Sequence, residues 1–204
     1  MRWEEFIKSL GNLPVIDTEL MLSGVTNPKP VKVQISRWAK AGKLIQLKRG
    51  VYLFSEDYRK TEVYEPYIAS ILKKPSYISL EKALEYHGLI PEAVPVYTSV
   101  TTKWPRKFTS KIGVFDYRHI KNSLFWGYEP VIQKKQTGFM AMPEKALLDL
   151  IYLRGIKVSP EYLEELRLQN TEKIDAARLL EFAGRFNKPG IFRSANIIKK
   201  FIST

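Results

Sequence analysis

The sequence predicts an α+β chain in two parts: a small helical unit closed by a hairpin, then a mixed unit with a small β-sheet and surrounding helices. Three observations lead there. Helical periodicity up to Lys43 gives way to two short β-type runs joined around Lys48-Arg49-Gly50. From Val96 to Met142 the pattern is strand-like, in VYTSVTTK, IGVFDYRHI, LFWGYEPVIQK and TGFMAM, with Pro-, Gly- and Lys-containing turns between them. After Pro143 the chain reads as helices again, through EKALLDLIYLRG, PEYLEELRL, KIDAARLLEFAGRF and SANIIKKFI.

The first elements can be justified residue by residue. Trp3, Phe6, Ile7 and Leu10 share one face of a short helix that Gly11-Asn12 stops. Asp17 is placed to cap a second helix, TELMLS, ended by Gly24. A turn through Thr26, Asn27 and Pro28 leads to Pro30, in the first turn of a third helix where no backbone donor is needed. At about 100° per residue, Val31, Ile35, Trp38, Ala39 and Gly42 fall in one narrow sector. Lys29, Val33, Ser36, Arg37 and Lys40 fall opposite, flanked by Lys32 and Lys43. KLIQLKRGVYLF then reads as a hairpin with Gly50 supplying a positive φ at its turn. Helix, helix, turn, helix and a basic-tipped hairpin is the order of a winged helix-turn-helix, assigned to residues 1–58. Ser55 to Pro66 is the connection, and 64–204 form the second, α+β unit, opening with helices over Tyr67–Leu72 and LEKALEYHG, the latter capped by Ser79.

Charge sharpens this reading. The 204 residues hold 33 Lys and Arg against 21 Asp and Glu, a formal net charge of +12, which favours a polyanionic partner. Between Glu19 and Glu56 there are seven basic residues (Lys29, Lys32, Arg37, Lys40, Lys43, Lys48, Arg49) and no acid. A helix in the major groove with a hairpin against the backbone would hold any carboxylate close to phosphate. Those seven residues, with Ser36, are therefore the candidate contacts to double-stranded DNA. A second acid-free stretch, TKWPRKFTSK, adds Lys103, Arg106, Lys107 and Lys111 interleaved with Trp104 and Phe108. It reads as a second phosphate-contacting loop, a docking surface for an acidic partner, or a solvated turn between strands.

Other classes find less support. Hydrophobic residues at 45% and aromatics at 12% suffice for a packed core. The chain has no cysteine, which excludes disulfides and thiolate metal sites and fits a reducing compartment. MRWEEFIKSL lacks the apolar run of a signal peptide, and FMAMPEKALLDLIYL is interrupted by Glu144, Lys145 and Asp149. A cytoplasmic protein without a membrane partner is expected. His87 and His119 stand far apart, and neither a G-x-x-x-x-G-K-[ST] nor a G-x-S-x-G setting occurs, so no catalytic residue, metal or cofactor is assigned. One constellation competes. Asp116 followed by Gln133-Lys134-Lys135, with Glu129 as the nearest second carboxylate, loosely resembles the acid-plus-Q-x-K pattern of some metal-dependent nucleases.

Taken together, GKLIQLKRGVYLF, YISLEKALEYHGLI, the strand region and AMPEKALLDLIYL resemble, in order and spacing over nearly the whole chain, the AbiEi family. These are antitoxin-regulators of type IV toxin–antitoxin (abortive infection) systems. The Pro28/Pro30 entry to the third helix departs from that pattern. The resemblance implies a winged helix followed by a C-terminal antitoxin domain. It also implies non-enzymatic repression of its own operon through operator DNA, and neutralisation of a cognate nucleotidyltransferase-like toxin. The alternatives are a nuclease to which the basic unit delivers DNA, and a stand-alone regulator whose second unit senses a ligand or dimerises.

Overall fold

A computed structural model describes residues 2–203. The fold is α+β, as expected: its helices pack around one three-stranded and one six-stranded sheet. Among the described residues no helix is long and apolar enough to cross a membrane.

The first unit opens with α1 (Trp3–Leu10), followed by a two-residue strand β1 (Ile16–Asp17), α2 (Thr18–Met21) and α3 (Lys29–Lys40). Asp17 caps α2 as expected, accepting from the amides of Glu19 and Leu20 at 2.9 and 3.3 Å. α2 is a single turn rather than the longer helix the sequence suggested, because the chain leaves helical hydrogen bonding after Met21. The hairpin is β2 (Leu44–Lys48) and β3 (Val51–Phe54), with Gly50 at φ +83°. β1, which the sequence did not reveal, joins the far side of β3 and gives the order β1-β3-β2. Thr18 ties α2 to the turn, its amide and hydroxyl both donating to the Gly50 carbonyl, at 2.8 and 2.9 Å.

The second unit starts with α4 (Glu65–Leu72), the short strand β4 (Tyr77–Ile78) and α5 (Leu80–Tyr86). Strands β5 (Val96–Thr101), β6 (Arg106–Ser110), β7 (Gly113–His119), β8 (Tyr128–Gln133) and β9 (Gln136–Ala141) complete a sheet ordered β6-β7-β5-β4-β9-β8. The β4–β9 and β5–β7 pairs are parallel and the other pairs antiparallel. Helices α6 (Pro143–Arg154), α7 (Pro160–Glu165), α8 (Ala176–Arg185) and α9 (Pro189–Ile202) follow. α4 lies on the sheet face that carries Phe115 and Tyr117, and the Tyr117 hydroxyl donates to the Ala69 carbonyl at 2.6 Å. Its start sits directly on β9. A Cβ on Gly138 would stand 2.5–2.7 Å from Pro66, so only glycine permits this approach.

α6 carries the feature that periodicity hid. Lys145 and Asp149, one helical turn apart, are both 0% exposed and form an ion pair. The Asp149 carboxylate also accepts from the Tyr77 hydroxyl (3.0 Å) and Ser79 Oγ (2.8 Å), and the Lys145 ammonium donates to the Tyr77 hydroxyl at 2.8 Å. The rings of Tyr77, Trp126 and Phe186 surround that ammonium, each centroid 5.1–5.3 Å away. Burial lowers the Lys145 pKa and raises that of Asp149, and each group's attraction for the other opposes the shift. Ser79 thus spends its hydroxyl on Asp149 instead of capping α5.

The two units are not sealed from each other. Ile16, Leu44 and Phe54 pack with Phe6, Ile35 and Trp38 in a small core. Val15, Leu47, Val51 and Leu53 belong to the large core of the second unit, with Ile68 and Leu72. A chain ending near residue 60 would expose those four side chains, and it is expected to aggregate or give no cooperative melt by circular dichroism. If it melts cooperatively at the temperature of the full chain, the seam contributes nothing. Asp149→Ala, which strands a buried ammonium, should destabilise the full chain by about 3–5 kcal/mol in urea unfolding. Lys145→Met with Asp149→Leu should recover much of that loss.

Candidate nucleic-acid interface

The helix phase read from the sequence agrees with the exposure pattern of α3. Ile35 and Trp38 are buried and Val31 and Ala39 half-buried, whereas Lys29, Lys32, Val33, Ser36, Arg37 and Lys40 are exposed. The buried stripe is anchored by aromatic contact: the Trp38 ring lies 4.9 Å from Trp3 and 4.7 Å from Phe6. No carboxylate of the described residues lies within ion-pair distance of Lys29, Lys32, Arg37 or Lys40. The first turn of α3 holds no acid, and Pro28 offers it no side-chain cap. Lys29 and Lys32 thus sit at the positive end of the helix dipole, an arrangement costing a few tenths of a kcal/mol that an external anion would relieve.

Two expected members of the set are engaged elsewhere. Lys43 is half-buried, its ammonium 4.9 Å from the Trp3 ring centroid and 5.9 Å from that of Tyr58, so it serves the aromatic cluster. Lys48 was expected at a solvent-facing tip against phosphate. Its ammonium instead donates to the carbonyls of Ile71 and Leu72, at 3.0 Å each, and so closes the C-terminal end of α4. Burial, more than any neighbouring charge, lowers its pKa. The hairpin turn is folded back on the second unit. Arg49 alone of the pair remains exposed.

TKWPRKFTSK is not a loop throughout, since Arg106–Ser110 is the edge strand β6. Strand alternation divides its cations. Arg106 pairs with Tyr117 and shares the α4 face, while Lys107 pairs with Asp116 on the opposite face. The Arg106 guanidinium stacks 4.9 Å from the Phe108 centroid. Lys73, at the end of α4, completes a cluster with Arg106 and Lys103: burial first, then those two charges, depress its pKa. Lys111 occupies the β6–β7 turn. With Ser110 and Ile112 it borders a cleft lined also by Ala39, Gly42 and Gln46 and by the acids Glu56 and Asp57, so it stands beside the end of α3. Trp104 is 88% exposed.

The nuclease constellation does not assemble. Three strands separate β7 from β8, which places Asp116 on the order of 19 Å from the Gln133-Lys134-Lys135 end. Asp116 is bound by Arg118 at 2.7 Å, and Lys134 is paired with Glu62. Among the described residues no group of three or more His, Cys, Asp or Glu converges in a way that could hold a metal ion. His87 and His119 each contact a backbone carbonyl, of Ala141 (2.7 Å) and Lys103 (3.2 Å). No family model matches the chain, and comparison with curated proteins finds no match.

Lys48→Met should lower the stability of the full chain by about 1 kcal/mol, because two helix-end carbonyls lose their donor. Arg49→Ala should leave it unchanged. Equal effects in a urea titration would put the Lys48 ammonium in solvent.

Proposed function

We propose that the chain is a DNA-binding regulator whose first unit is a winged helix-turn-helix and whose α3 lies in the major groove. The observation that carries this reading is the exposed face of α3, with Lys29, Lys32, Arg37 and Lys40 lacking an ion-pair partner among the described residues and lying opposite the buried Ile35–Trp38 stripe. The order α1-β1-α2-α3-β2-β3 and the sheet order β1-β3-β2 support it, being the arrangement in which a winged helix presents its third helix. On that face Arg37 can read guanine, Ser36 a base edge or a phosphate, and Val33 a thymine methyl. Lys29, Lys32 and Lys40 meet phosphate, and Lys111, across a cleft that also holds Glu56 and Asp57, adds a further cation near the end of α3.

Repression of its own operon, and neutralisation of a nucleotidyltransferase-like toxin by the second unit, are proposed on the AbiEi resemblance. In their favour, the residues offered for the nuclease alternative lie far apart on the sheet.

Binding of the full chain to duplex DNA from upstream of its own reading frame, followed by fluorescence anisotropy, tests the reading. Arg37→Ala should weaken that complex by about 1–3 kcal/mol and relax preference at one base pair. Lys32→Ala with Lys40→Ala should weaken all sequences alike and reduce the slope of log K against log salt by about two. Unchanged affinity in both variants would remove α3 from the interface. For the second unit, growth arrested by an adjacent nucleotidyltransferase-like gene should be rescued by co-expressing the full chain; failure despite soluble expression would sink the antitoxin reading.

A further inference from the structure

A cleft of about 580 Å³ lies between the α1–α2 segment and α4. Its walls are apolar: Leu10, Leu13, Leu20 and Met21 on one side, Tyr67 and Ile71 on the other. Leu20 is 79% and Leu13 47% exposed, and no part of the described chain covers them. Side chains of this size gain about 25 cal/mol for each Å² of apolar surface withdrawn from water, so the recess favours an apolar occupant.

The rim is charged on one side. Lys74 is exposed, and no carboxylate of the described residues lies within ion-pair distance of it. Lys48, which also lines the cleft, spends two of its three ammonium donors on the α4 carbonyls and keeps one. The acid of the lining, Asp17, caps α2 through Oδ1, accepting from the Glu19 and Leu20 amides, and its charge also acts on Lys48. That leaves Lys74 as the cation of the rim without a carboxylate partner among the described residues. Two ammonium groups, Lys74 and Lys48, against the single carboxylate of Asp17 leave the lining net cationic above an apolar floor, which favours an anionic guest. The volume falls within the range of roughly 300–1,000 Å³ typical of small-molecule sites.

We propose that this cleft binds a small organic anion with an apolar body, its carboxylate, sulfonate or phosphate held by Lys74 and Lys48 and its body by Leu13, Leu20 and Ile71. Such a ligand touches both units at once. It would therefore brace α4 against the α1–α2 segment that precedes the basic helix. The proposal does not depend on the DNA-binding reading.

The test uses two naphthalene dyes with the full chain: anionic 8-anilinonaphthalene-1-sulfonate and its uncharged analogue N-phenyl-1-naphthylamine. The sulfonate should bind saturably at one site per chain, and more tightly than the neutral dye. Lys74→Gln should weaken the sulfonate about fivefold, the size of one exposed ion pair, and leave the neutral dye unchanged. Leu20→Gln, a surface change expected to leave the circular-dichroism melt intact, should weaken both dyes. Non-saturable binding, or sulfonate affinity indifferent to Lys74→Gln, would overturn the proposal. So would a sedimenting dimer that Leu20→Gln dissociates, because the cleft would then belong to a second copy of the chain.

Discussion

An ammonium and a carboxylate enclosed within one helical turn are expensive to desolvate, and Lys145 and Asp149 are tolerable because they pair with each other and with polar and aromatic neighbours that offset burial and the like charge of Arg185. Tyr77 and Ser79 donate to the carboxylate, and aromatic faces surround the ammonium. Gly127 leaves room for the lysine stem, since a Cβ there would stand 3.1 Å from it. The consequence is positional. Tyr77 belongs to β4, a two-residue strand at the centre of the six-stranded sheet, too short to be held by its own ladder. The buried pair fixes β4 against α6, and with it the strands on either side. α4 is then seated on the opposite sheet face by the Tyr117–Ala69 hydrogen bond and the Gly138–Pro66 approach.

From α4 the constraint passes to the first unit. Lys48 closes the end of α4, while Leu47, Val51 and Leu53 enter the large core, so the small sheet is docked by its hairpin. What remains free is the far side of that unit, where α3 presents its cations. The local energetics there are unfavourable: like charges share a face, two of them lie at the positive end of a helix, and no carboxylate of the described residues lies within ion-pair distance. A fold that pairs a buried lysine so thoroughly in α6 leaves the exposed lysines of α3 without a carboxylate partner among the described residues, and that contrast is what the DNA-binding proposal rests on.

Much of this was legible in the sequence where one local rule governs one element. The faces of α1 and α3, the Asp17 cap, the Gly50 turn and the Pro143 start of α6 all follow from period, capping or backbone freedom. Legibility failed where tertiary partners decide. β1 and β4 are two residues long and carry no periodicity. In β6 the charges of Arg106 and Lys107 masked an alternation that Phe108 anchors. The last helix, read from the sequence as SANIIKKFI, begins earlier, at Pro189, because a helix's first turn tolerates proline. Lys145 and Asp149 read as breaks in an apolar run, although opposite charges four residues apart in a helix buried all round were the available sign of a pair. The role of Lys48 depends on α4, more than twenty residues away, which no local pattern reports.

The central claim, that the α3 face meets DNA while the hairpin turn does not, is tested most directly by hydrogen–deuterium exchange of the full chain with and without duplex DNA at low salt. The account requires slowed exchange across residues 29–40 and at the 110–113 turn, reversed by high salt, with residues 47–51 unchanged. Protection centred on 47–51 with α3 unaffected, or no DNA-dependent protection anywhere, would contradict it.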